Sequence, residues 1–164
     1  MSTDAFVTFS AEVTGFTEFD LHGTGQARSY YDTVVKVVGR QNLDDLLHRY
    51  FDEVTELLDE QKRAKQLDES VFDDPRLGAV AKNVIKLWYS GTWFDLSPEW
   101  TATYGIPGTE GTFTASPQAY AQGLLWFAVG TSPPGARAPG YGSWADPPRI
   151  PELPASPVPR SLQR

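Results

Sequence analysis

Along the first 130 positions, apolar residues recur at intervals of three and four rather than in alternation, which is the spacing of helices with one buried face. The clearest run is 43–58, where Leu43, Leu46, Leu47, Tyr50, Phe51, Val54, Leu57 and Leu58 share a face. Asn42 stands where a helix cap is expected. Asp44 and Asp45 suit the positive end of the dipole, and Lys62, Arg63 and Lys65 the negative end. A second run opens at Asp74-Pro75, a cap followed by a first-turn proline. It carries Leu77, Val80, Ala81, Val84, Ile85 and Trp88 to a stop at Gly91. A third, Gln26–Val38, places Ala27, Tyr31, Val34, Val35 and Val38 together before Gly39. A fourth opens at Ser116-Pro117 and runs through Tyr120, Ala121, Leu124 and Phe127 to Gly130. The shortest uses Thr3 as cap, with Phe6, Phe9 and Val13 ahead of Gly15. No window alternates as a strand does, and "GTFTA" at 111–115 comes nearest. The pattern predicts a mainly α fold, an irregular cluster of about five helices, followed by a long extended proline-rich C-terminal arm.

Two departures from this periodicity organise the rest. Residues 91–115 are aromatic, glycine-rich and aperiodic, a loop within the helical body 1–130. From 131 to 164 the chain becomes proline-rich, holding nine of the 13 prolines. Charge divides at the same place. Residues 1–129 carry 10 basic and 19 acidic side chains, whereas residues 130–164 carry four arginines against Asp146 and Glu152. An acidic body and a slightly basic arm result.

Composition excludes several classes of function. The net charge of −7 offers no basic patch for phosphates, so nucleic acid is not an expected partner. The absence of cysteine removes disulfides, thiolate metal sites and thiol nucleophiles. No apolar run approaches the roughly 20 residues that span a bilayer, so no direct membrane insertion is expected. The opening "MSTDAFVTFSAEV" has no basic-then-apolar leader and no twin arginine. As written the chain reads as cytoplasmic, or as periplasmic where a leader is missing or a partner carries it.

Candidate chemistry is sparse. His48 has Asp45, Asp52 and Glu56 as helical neighbours, and Asp45-x-x-His48 has the spacing of a carboxylate-bridged metal site. Such a site needs a matching motif on another helix, and none exists. A titrating histidine on a solvated acidic face is the simpler reading. His22, in "FDLHGTGQAR", lies where a glycine-flanked loop enters a helix; its glycines match no phosphate-binding spacing. No serine occupies a nucleophile elbow, and no dinucleotide fingerprint follows a strand. The chain is therefore expected to hold no catalytic, cofactor-binding or metal-binding residue of its own.

The aromatic residues remain. All five tryptophans lie between Trp88 and Trp144, with 12 of the 21 aromatic residues in that stretch. Tryptophan and tyrosine anchor interfaces because they bring large apolar area with little rotamer entropy to lose. Proline-rich chain is already stiff, so laying it on a surface costs little ordering, and such an arm would reach roughly 100 Å at about 3.1 Å per residue. Trp88, Tyr89, Trp93, Tyr120, Trp126, Tyr141 and Trp144, with Pro147 and Pro148, are the candidate partner interface. Packing in the chain's own core is the competing reading for Trp88, Tyr89 and Trp126, and folding back on the body for Tyr141 and Trp144.

Motifs in order along the chain carry a resemblance. "FSAEVTGFTEFD" (9–20), "ARSYY" (27–31), "IKLWYSGTW" (85–93), "YAQGLLW" (120–126) and "PGYGSWADPP" (139–148) resemble the small subunits of FAD-dependent sugar and polyol dehydrogenase complexes, the group named for membrane-bound FAD-containing D-sorbitol dehydrogenase. The resemblance implies a non-catalytic accessory subunit. Its partner would be a glucose–methanol–choline type flavoprotein, which holds the FAD and oxidises a sugar, polyol or glycoside. A cytochrome c subunit or another acceptor takes the electrons in such complexes. Relatives often carry a cysteine before the closing G-x-x-W segment, and "SPPGARAPGYGSW" has none. Two other classes stay open: an unrelated helical adaptor or assembly protein, and a stand-alone enzyme using His48 and nearby carboxylates.

Overall fold

A computed structural model describes residues 1–134, and contacts mark off a compact unit ending at Pro133. The unit is mainly helical. Helix α1, Thr3–Thr14, begins on Ser2 rather than Thr3: the Ser2 hydroxyl accepts the Ala5 N–H at 3.2 Å, and Gly15 ends the helix in the left-handed conformation. Helix α3, Ala27–Val38, and helix α6, Pro75–Ser90, follow the apolar period. Asp74 caps α6 by accepting from Arg76 and Leu77, and the helix buries Leu77, Val80, Ala81, Val84, Leu87 and Trp88 completely. With the buried faces of α1 and α3 these side chains form the core. Each fully buried side chain of this size contributes about 1.5–3 kcal/mol.

Helix α4 differs from its expected span. It runs Arg40–Glu53, so Asn42 lies inside it, not at its cap. The Asn42 side chain instead donates to Val38 O at 2.7 Å and Tyr104 O at 2.9 Å, tying α4 to a segment 62 residues on. Val54 is buried, but the chain leaves the helix there and Leu58 is 99% exposed. Lys62, Arg63 and Lys65 belong to a separate helix, α5, Glu60–Leu67, capped by Asp59 and continued by a π-helical turn at Asp68–Phe72. A further helix, α2 (Glu18–Gly23), contains His22 where a loop was expected; Thr17 and Asp20 close a capping box at its start.

The aperiodic stretch 91–115 is ordered by pieces. Thr92–Trp93 (β1) pairs antiparallel with Phe113–Thr114 (β2), the latter inside the stretch nearest to a strand pattern. Between them lies α7, Pro98–Tyr104, opened by Ser97 and a first-turn proline. The Asn83 side chain of α6 clamps Phe94, donating to its carbonyl at 3.0 Å and accepting its N–H at 3.2 Å. The run expected as one helix from Ser116-Pro117 to Gly130 is instead two short turns, α8 (Ala119–Gln122) and α9 (Leu125–Ala128). Gly123, with φ −58° and ψ 134°, separates them. The break lets Leu124 N donate to Trp88 O at 3.0 Å and bury its side chain. No described helix is long and apolar enough to cross a membrane.

Candidate functional site

Among the described residues the aromatic candidates divide into three sets. Trp88 and Trp93 are corrections to the expected interface, because both are fully buried in the chain's own core. The Trp88 indole is packed against Tyr30, edge-on at 4.8 Å, and against Phe6, stacked at 6.2 Å. β-pairing and the Asn83 clamp on its neighbour turn Trp93 inward. Covered on every side, neither ring can meet a partner in this conformation. Tyr89 is half-buried: its hydroxyl donates to Thr14 O at 3.0 Å and its ring meets Phe16 edge-on at 6.0 Å. Tyr120 and Trp126 are brought together at the surface. Their rings meet edge to face at 5.2 Å, and Trp126 Nε1 donates to Tyr120 O at 2.7 Å. Tyr141, Trp144, Pro147 and Pro148 lie outside the described residues.

Around Tyr120 and Trp126 the α8–α9 segment exposes apolar side chains that periodicity had not singled out as surface. Tyr120 is 44% exposed, Leu125 42%, Phe127 58% and Val129 59%. A sequence signal for this surface was available: Gly111 to Ala136 contains no charged residue. An exposed segment without a charge has the composition of an interface core, where charged side chains are depleted.

What holds this segment in place is backbone packing against the end of α6. Gly91 accepts the Ala115 N–H at 3.0 Å, and a Cβ on Gly91 would lie 2.5 Å from Ala119 O. A Cβ on Gly123 would lie 2.6 Å from Tyr89 O. The described motifs thus converge on one place. "YAQGLLW" lies on "IKLWYSGTW", Tyr89 of the latter binds Thr14 in "FSAEVTGFTEFD", and Tyr30 in "ARSYY" packs on Trp88.

Of the polar candidates, Asp45 is engaged structurally. Asp45 accepts from Arg76 Nη1 at 2.7 Å and from Gln41 Nε2 at 2.7 Å. The Arg76 hydrogen bond holds the Asp45 carboxyl below the usual carboxylate range. His48 and His22 are both exposed. Among the described residues, no group of three or more histidine, aspartate and glutamate side chains is placed to hold a metal ion. A second cluster joins α1, α4 and α5: Glu12 accepts from Arg63 Nε at 3.1 Å and from Tyr50 OH at 3.4 Å. Burial, with Glu12 beside it, pushes the Tyr50 phenol up to about 12.

No family model, curated protein or solved structure matches this chain.

Proposed function

We propose that this chain is a non-catalytic small subunit that binds and stabilises the FAD-containing catalytic subunit of a sugar, polyol or glycoside dehydrogenase. The observation that carries the reading is the uncharged, exposed apolar surface of α8–α9, which leads directly in sequence into the proline-rich arm. Large apolar side chains in water with no charge among them are what an association surface offers. The motif order of the resemblance supports the choice of a flavoprotein as partner, and the FAD and the hydride chemistry belong to that partner. Trp88 and Trp93 have no direct part in docking on this reading. They shape the core on which α8–α9 rests, and Leu125, Val129, Tyr120 and Trp126 meet the partner. Trp144 serves as anchor within the arm.

Co-expression with a glucose–methanol–choline type flavoprotein tests the proposal. A yellow complex should co-purify, and Leu125→Asp with Val129→Asp should abolish it while leaving the isolated chain's helical circular dichroism unchanged. Trp144→Ala should weaken the complex by on the order of 2 kcal/mol, the usual range for a buried aromatic anchor. A colourless partner would favour the adaptor reading, and unaided sugar oxidation by the purified chain would favour the enzyme.

A further inference from the structure

Among the described residues, three buried side-chain atoms find no hydrogen-bond partner: Ser10 Oγ, Tyr30 OH and Trp88 Nε1, all shielded from solvent. They come one each from α1, α3 and α6, helices that pack against one another in all three pairings. The rings that carry two of them are neighbours. Tyr30 meets Trp88 edge-on at 4.8 Å, and Phe6 stacks on Trp88 at 6.2 Å. Ser10 follows Phe6 by four residues, placing it on the same face of α1 one turn along.

Ser10 has an evident local alternative that it does not take. Thr8, Thr14, Ser70, Ser90 and Thr103 each donate to the carbonyl four residues back in their helices. The fully buried Ser10 hydroxyl makes no such bond. A buried hydroxyl or indole N–H left unpaired lowers the folding equilibrium by roughly 5- to 150-fold. Three together in one small core would multiply that loss, and native cores leave few such groups.

The chemistry of the three groups indicates what satisfies them. The indole N–H only donates, while each hydroxyl both donates and accepts. Water accepts and donates in the same numbers, and a buried water typically makes about three hydrogen bonds. An apolar guest would leave all three groups unpaired, and an ion would find no opposite charge among Phe6, Tyr30 and Trp88. We infer that the core between α1, α3 and α6 holds internal water, hydrogen-bonded to Trp88 Nε1, Tyr30 OH and Ser10 Oγ. The inference is independent of the proposed function, since it concerns only how the body is held together.

A crystal structure of the full chain, at a resolution that shows ordered solvent, tests it directly. Density for water should stand at about 3 Å from the Trp88 indole nitrogen. Urea titrations of Tyr30→Phe and Ser10→Ala supply a second measurement. With water present, each variant breaks a hydrogen bond and should lower the folding constant by about fivefold. With a dry core, each removes an unpaired polar atom and should fold as well as wild type or better. An indole N–H directed onto the face of the Tyr30 ring, a weak contact in its own right, would leave the site dry. Empty density at the indole nitrogen, or a Tyr30→Phe variant at least as stable as wild type, overturns the inference.

Discussion

Gly91 carries two constraints that a single methyl group would violate together. Its φ of 71° lies in the left-handed region, where an L side chain is strained by about 1–2 kcal/mol. The added Cβ would also overlap the carbonyl carbon of Ala119 and come within 2.5 Å of its oxygen. Those are backbone atoms, so relief requires moving α8, and forced overpacking of this kind costs about 1–3 kcal/mol. Gly91→Ala should therefore destabilise the body by about 2–5 kcal/mol, a large share of the 5–15 kcal/mol typical of a domain. Gly108 supplies the control. Its φ is 82°, but a Cβ there would meet nothing within 4 Å, so Gly108→Ala incurs the strain alone. Urea denaturation followed by circular dichroism separates the two. With a slope near 1.5 kcal/mol per molar, the Gly91→Ala midpoint should fall by about 1–3 M and the Gly108→Ala midpoint by about 1 M. If Gly91→Ala costs no more than Gly108→Ala, the close packing of α8 on the end of α6 is wrong. The exposed apolar surface of α8–α9 then loses the backbone contacts that position it.

Titration gives two further expectations. Asp45 has a depressed folded pKa, so its contribution is present above the unfolded value of about 3.9 and is lost as pH falls through the lower folded value. Asp45→Asn should cost at most about 1 kcal/mol at neutral pH, as befits a pair that solvent reaches, and its midpoint should converge with wild type once pH falls below the depressed folded pKa. A gap that persists in acid would refute this. At the alkaline end, burial raises Tyr30 as well as Tyr50, and Tyr50 reaches about 12. Stability should be full below the unfolded value near 10, then decline by about 1.4 kcal/mol per pH unit for each phenol above it. Tyr50→Phe should roughly halve that slope in midpoints measured between pH 10 and 12. An unchanged slope would show that Tyr50 titrates as it does in the unfolded chain.

The elements that could be read from the sequence are those whose signals are local. Helices α1, α3 and α6 declare themselves by one apolar face and a terminal glycine, because intrahelical bonds and side-chain neighbours lie within four residues. The missed helices α2, α5 and α7 are short and bury little, with Leu21, Leu67 and Trp100 as their buried apolar side chains. Too few apolar positions remain to establish a period. Their caps were nonetheless written in Thr17-x-x-Asp20, in Asp59 and in Ser97-Pro98. At Gly123 the opposite happened: the period continued on paper, but close approach to Tyr89 O and the bond from Leu124 N to Trp88 O end α8 there. Of the aromatic candidates, Tyr120 is exposed and Trp126 half-buried against it, while Trp88 and Trp93 disappeared into the core.

By itself the sequence determined that this would be an acidic, helical body, with the Asp74 cap of α6 and the glycine stops of α1, α3 and α6 in place, because those depend on composition and on residues a turn apart. Which rings face water was decided only by tertiary structure. Trp93 is covered because Asn83 holds the backbone of Phe94, and Leu125 is left in the open because Gly123 breaks the helix against the end of α6. Aromatic character is a property of one residue; exposure depends on contacts made across the fold, and no spacing along the chain encodes them.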